Sequence, residues 1–374
     1  MFTFILAAAL AAHQPVLGPE ILSAPQQPAY RVLQPSVGIA ADRGSAVVTW
    51  AGGDHVFVSV LGIDGRLGEA TDIPASAPVA PSIVSFRGGY LLAWVEKTVP
   101  QRAILVRLTA GLQPMQQQAI MIIAETAELR GDGTSAFLLT GSTAYALTED
   151  AELNLSRVID ARDDIAVMGS STSAHLWHEV MPCGHFNWGC GGTDLYVEVD
   201  GPDRKERITA IQTTTGMQTI TSPAAIAFDG QRLLVACYNV EVDVTHLSWF
   251  RGLVQVRPYD ADWLAPPVTI GMIWDRSMPV RPSIASDGRR FVVVWPSWNG
   301  EHYQVNGAII DNSTLVVTPL DIARGPNDAF EPGIAAIAPG RFLITWTSLT
   351  ATERRLGARF LDFGETPTRL RPSR

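Results

Sequence analysis

Three stretches of this chain gather residue types that bind or transform small molecules. In the first, Trp177-His178-Glu179 is followed by Cys183, His185, Trp188, Cys190 and Asp194. In the second, Tyr238-Asn239-Val240-Glu241-Val242-Asp243 is followed by His246, Trp249 and Arg251. The third is Trp298-Asn299-Gly300-Glu301-His302-Tyr303. Rings interleaved with carboxylates and amides suit sugar or peptide recognition, because rings stack while polar groups fix orientation. The binding candidates are Trp177, His178, Glu179, His185, Trp188, Tyr238, Asn239, Glu241, Trp298, Glu301 and His302.

Other chemistry is less well provided for. Glu179, Glu241, Asp243 and Glu301 could supply an acid/base pair for glycoside cleavage, whose separation a sequence does not carry. His175, His178, His185, Cys183 and Cys190 cluster along the chain but show no Cys-x-x-Cys and no His-Glu-x-x-His. His175 and His178 would point to opposite faces of a strand. No metal and no cofactor is expected. In an exported chain Cys183 and Cys190 would close a small disulfide loop, and Cys237 ends an apolar strand as a buried thiol. A Gly-x-Ser-x-Gly nucleophile turn is absent, so no catalytic residue is assigned.

The elements that would hold these stretches are repeats. Pro282 to Trp295 reads PSIASDGRRFVVVW and Pro81 to Trp94 reads PSIVSFRGGYLLAW. Pro35 to Trp50 and Pro332 to Trp346 follow the same plan. Each copy has a strand of small residues, a Gly/Asp turn and a β-branched strand ending in Trp or a substitute. A third and a weaker fourth strand follow. The end marker falls at Trp50, Trp94, Leu139, Trp177, Cys237, Trp295 and Trp346. A unit this small cannot bury its own faces, so the units must pack on one another. The pattern predicts an all-β protein, a seven-bladed β-propeller of four-stranded antiparallel blades, with six or eight blades as alternatives. Tyr30 to Leu33 or Thr366 to Leu370 would complete the last blade. The strand-end Trp residues then pack blade on blade, whereas Trp188, Trp249 and Trp298 lie in loops. Strand-one turns read as short and strand-two to strand-three loops as long, so the long-loop face is the expected functional face.

Hydrophobic residues make up 47% and charged residues 17%, which suits a large core. A net charge of −9 disfavours nucleic acid and anionic membrane as partners. Residues 1–12 form a short apolar run ending in small residues, read as a secretory signal, which places the protein outside the cytoplasm or in a periplasm. Residues 13–28 read as a linker and 29–374 as one propeller domain. No other stretch is apolar and long enough to be a membrane helix.

The repeat Pro-x-Ile-Ala-x-Asp-Gly-x-x-Phe-x-Val-x-Trp resembles that of secreted bacterial β-propeller repeat proteins. The resemblance covers about residues 30 to 370, with Pro282 to Asp311 matching best. That family carries an acidic residue after the Trp, a place filled here by Glu96 and Glu179, while Trp295 and Trp346 are followed by Pro-Ser and Thr-Ser. The resemblance implies fold and export; most of its members have no assigned activity. The expectation is a secreted, monomeric, non-catalytic propeller binding an extracellular glycan, peptide or protein through its long loops. The alternatives are a hydrolase or lyase acting on an extracellular polysaccharide, and a structural module without a ligand.

Overall fold

The computed structural model describes residues 15–22, 37–42, 45–122, 126–141, 143–147, 155–159, 164–168, 173–180, 193–200, 205–211, 218–221, 224–242, 250–260, 263–264, 266–274, 281–350 and 354–364. Among them every regular element is a strand, and the strands form seven antiparallel sheets. Sheet one comprises Val37–Asp42, Ser45–Gly52, His55–Leu61 and Thr71–Pro74. Sheet two comprises Pro78–Phe86, Gly89–Glu96, Arg102–Leu108 and Pro114–Met121. Sheets three, four and six open with Glu128–Gly131, Asp164–Val167 and Ser283–Ser286 and follow the same up-and-down order. In sheet five, Gln218–Thr221 and Ala225–Phe228 both pair with Leu233–Val242. Sheet seven runs through Asp328–Ala338, Arg341–Leu349 and Arg354–Asp362.

Second strands are buried on both faces. Gly89–Glu96 and Arg341–Leu349 are buried along almost their whole length, with no inside/outside alternation. A strand reads that way only when its sheet is sandwiched between two neighbours. Outer strands alternate instead, and Pro114–Met121 is largely exposed.

The strand-end tryptophans make the sandwich. Trp94 of sheet two packs among Ala40, Val47, Val56 and Val58 of sheet one. Trp295 of sheet six packs on sheet five, and Trp346 of sheet seven packs on sheet six. Trp50 of sheet one packs with Leu343, Ala358 and Phe360 of sheet seven. Each ring therefore reaches back to the sheet before it, and the first reaches the last. First strands touch in the same cyclic order, with Asp328–Ala338 against Val37–Asp42. Glycines make room for the rings. A Cβ on Gly271 would meet Trp295 Cζ2 at 2.4 Å, and one on Gly357 would meet Trp346 Cε2 at 2.3 Å.

Sheet seven borrows its outer strand from the N-terminal segment. Val16–Leu17 and Ile21–Leu22 both pair with Arg354–Asp362. Leu17 packs against the core between sheets six and seven, and Ile21 against the core between sheets seven and one. Glu20 sits 3.6 Å from Arg359. Residues read from sequence as a linker thus carry this pairing, whereas Tyr30 to Leu33 and Thr366 to Leu370 lie outside the described residues.

The Gly/Asp turns are backbone chemistry, as expected. The carboxylates of Asp132, Asp229 and Asp287 each accept two backbone N–H bonds within their own turn. They also join sheets: Asp287 accepts from Gly340 N at 3.0 Å, and Asp229 accepts from the Asn312 amide.

Candidate functional site

In an antiparallel sheet, strand one begins at the end where strand two finishes. Strand-two to strand-three connections therefore share one face of the ring with the starts of the first strands. Three described features lie on this face.

The first spans sheets six and seven. Strand two of sheet six runs on through Trp298 and strand three restarts at Tyr303, so these two residues are register partners. The expected long loop is here a tight turn, because Asn299 Oδ1 accepts from Glu301 N and His302 N at 2.9 Å each. Asn299 N in turn donates to His302 O. The Trp298 and Tyr303 rings meet edge-on at 5.0 Å, and Tyr303 meets Phe330 of sheet seven at 4.6 Å. All three are partly exposed, and Glu301 is exposed. Asp328 clamps the junction by accepting from Tyr303 N at 2.8 Å.

The second feature crosses the channel. Arg130 of sheet three bonds Asp164 of sheet four at 2.6 Å and Glu128 at 2.8 Å. Arg281, just before sheet six, reaches the same Glu128 carboxylate and comes within 3.9 Å of Asp164. The other Asp164 oxygen accepts from Ile226 N of sheet five at 3.0 Å. Burial pushes the Glu128 carboxyl up, but the charges and hydrogen bonds of Arg281 and Arg130 outweigh burial and hold it at about 2. Two cations and two anions thus tie sheets three to six across the axis.

The third feature is the rim of sheets one and two. His55 Nδ1 lies 2.6 Å from Asp72 and its ring stacks on Phe57, which stacks on Trp50. Glu96, buried, accepts from Arg102 at 2.5 Å and from Ser76 N at 3.0 Å. The acid after the strand-end Trp is here a brace for the sheet-two hairpin.

The sequence candidates are distributed unevenly over this face. Trp298, Glu301 and His302 sit together at the six/seven junction. Tyr238 does not belong to the site: it is fully buried with Trp295, Phe291 and Val254 between sheets five and six. Its alternation on a strand sandwiched on both faces sends it inward, and burial pushes its hydroxyl pKa upward. Trp177, His178, Glu179, Asn239 and Glu241 lie on described strands, but the placement of their side chains, like His185, Trp188, Cys183 and Cys190 altogether, lies outside the described residues. Cys237 is a buried free thiol pushed up to about 12 by desolvation. The connections are not uniformly long: Gly52 to His55 is a tight turn.

Sequence reasoning missed Phe330 and the channel cluster. A signal for the cluster exists. The residue before the repeat Pro is Gln34, Ala80 or Ser222 in three copies but charged in the last two, Arg281 and Glu331. A buried charge at the start of an axis-lining strand needs a partner, which Glu331 finds in Thr347 of its own sheet and Arg281 finds in Glu128, and Arg130 stands where the other first strands have Ile.

The carboxylates of Asp72, Glu96, Glu128, Asp164, Asp328 and Glu331 are each engaged by a side chain or a backbone N–H.

No family model matches the chain, and no curated protein matches its sequence. Solved structures do match. The WD40 domain of coronin from Toxoplasma gondii superposes with a TM-score of 0.52 at 9% identity, covering 94% of this chain and 88% of that one. The β-propeller domain of the Trilobed protease from Pyrococcus furiosus gives 0.50 at 10% identity, covering 93% and 99%. Hsv2 from Kluyveromyces lactis gives 0.47 at 12% identity, covering 83% and 88%. The fold is that of a β-propeller, and at these identities the likeness extends to the fold alone.

Proposed function

We propose that this β-propeller is a secreted, monomeric, non-catalytic binding protein of seven blades. It takes a glycan, peptide or protein on the face of its strand-two to strand-three connections. One observation carries the reading. Strand-end tryptophans 50, 94, 295 and 346 are buried between sheets, whereas Trp298 and its partners Tyr303 and Phe330 stay partly exposed on that face. Aromatic rings left at a surface and rimmed by polar groups mark a contact site. The blade number draws support from the seven sheets, from Trp50 packing on sheet seven and from the N-terminal pairing. An extracellular-polymer hydrolase would need a pair of carboxylates able to trade protons, and Glu301 stands at the six/seven junction with Asp328 already accepting from Tyr303 N.

A glycan array together with a peptide and protein pull-down tests the reading, using wild type and Trp298→Ala. Specific retention that Trp298→Ala abolishes supports it; blank results in every class contradict it. Export rests on residues 1–12. Expression in a bacterial host should place the protein outside the cytoplasm, with a mature N-terminus beyond residue 12. In that setting Cys183 and Cys190 form a disulfide, which non-reducing peptide mapping detects.

A further inference from the structure

We propose that Trp298, Tyr303 and Phe330 form a subsite for an uncharged pyranose ring of a polysaccharide. This rests on the binding reading above and commits it to a ligand class. The three rings belong to none of the buried clusters that hold the sheets together. They form a continuous row, with centroids 5.0 and 4.6 Å apart, across the seam of two sheets. A pyranose offers such a row its C–H face, which the negative π-face attracts, and directs its hydroxyls to the rim.

That rim is already oriented. Asn299 Oδ1 is occupied by two backbone N–H groups, so its Nδ2 is the donor to His302 Nε2 at 3.2 Å. His302 Nε2 is therefore the acceptor, and in the neutral ring Nδ1 carries the proton. This leaves an imidazole N–H donor on the residue next to the exposed Glu301, whose carboxylate is an acceptor. A sugar hydroxyl needs one of each.

Charge narrows the class further. Glu301 and Asp328 are the charges next to the row, Arg324 is paired with Asp321, and Arg354 and Arg355 stand two strands away from Asp328 and Phe330 on sheet seven. A uronate or sulfated ring seated on the row would face the Glu301 and Asp328 carboxylates; a neutral ring would not.

Titration calorimetry tests the assignment with cellohexaose, chitohexaose and maltohexaose as neutral probes and polygalacturonate as the anionic one. At least one neutral probe should bind, and Trp298→Ala should weaken it by about tenfold or more. Phe330→Leu should weaken it too, keeping apolar volume and serving where Trp298→Ala fails to fold. Polygalacturonate should bind more weakly than the neutral probe. Silence of all three neutral probes, equal affinity in both variants, or a preference for polygalacturonate would overturn the assignment. Binding of a defined peptide or protein that Trp298→Ala leaves unchanged also overturns it while sparing a binding propeller; blanks in all ligand classes sink both.

Discussion

Replacing Glu128 by Gln keeps the side-chain shape and removes its charge. In the wild type this carboxylate receives Arg130 at 2.8 Å and Arg281 from across the channel. Its side chain is only 17% exposed, so water screens the pairs poorly. The carboxyl titrates at about 2 in the fold against an ordinary 4.5. That gap corresponds to about 3 kcal/mol of stability. The figure meets the low end of the roughly 3–5 kcal/mol that follows loss of one partner from a buried pair. Because the folded value is depressed, the contribution is complete above the unfolded value and is lost as pH falls through the folded one. Urea unfolding should thus find Glu128→Gln less stable by about 3 kcal/mol at pH 7. The gap should hold down to about pH 5, narrow below 4.5 and be largely closed near pH 2. Adding Arg281→Met should cost less than its single effect, because its partner is already gone. A Glu128→Gln loss under about 0.5 kcal/mol at pH 7, or a gap that widens on acidification, would refute the argument.

Further perturbations follow from packing. Trp346→Ala should destabilise by about 3–5 kcal/mol in the same unfolding assay, since the ring is fully buried between sheets six and seven. Gly357→Ala should cost about 1–3 kcal/mol, because its Cβ would stand 2.3 Å from Trp346 Cε2. Leu17→Asp should lower the melting temperature and promote self-association seen by light scattering, as it frees the edge of Arg354–Asp362. Cys237 should resist iodoacetamide in the native protein and react after denaturation, as a buried thiol held near 12 requires.

The blades were legible because their markers are local. A Gly/Asp turn needs its backbone geometry, and a strand-end Trp needs a neighbouring sheet, so both recur where Pro282 to Trp295 and Pro332 to Trp346 recur. What escaped is non-local. Val16–Leu17 and Ile21–Leu22 are too short to show a period, and their partner lies at the far end of the chain. Arg281 finds Glu128 only once the ring brings sheets six and three face to face. Phe330 joins Trp298 from the next sheet, with nothing in its own stretch to mark it. Tyr238 misled because a ring beside Asn239 and Glu241 looks like a binding stretch, yet both faces of that strand are covered. Loop length at Trp298 misled because strand two extends past the repeat Trp295 by three residues.

The last sheet is finished by the N-terminal segment. Val16 and Asp362 are antiparallel register partners, a spacing that suits a disulfide. Oxidising the Val16→Cys/Asp362→Cys variant and mapping its crosslinks by mass spectrometry is the most direct check. An intramolecular bond in the folded monomer is the predicted result; two free thiols, or bonds only between separate molecules, would contradict it.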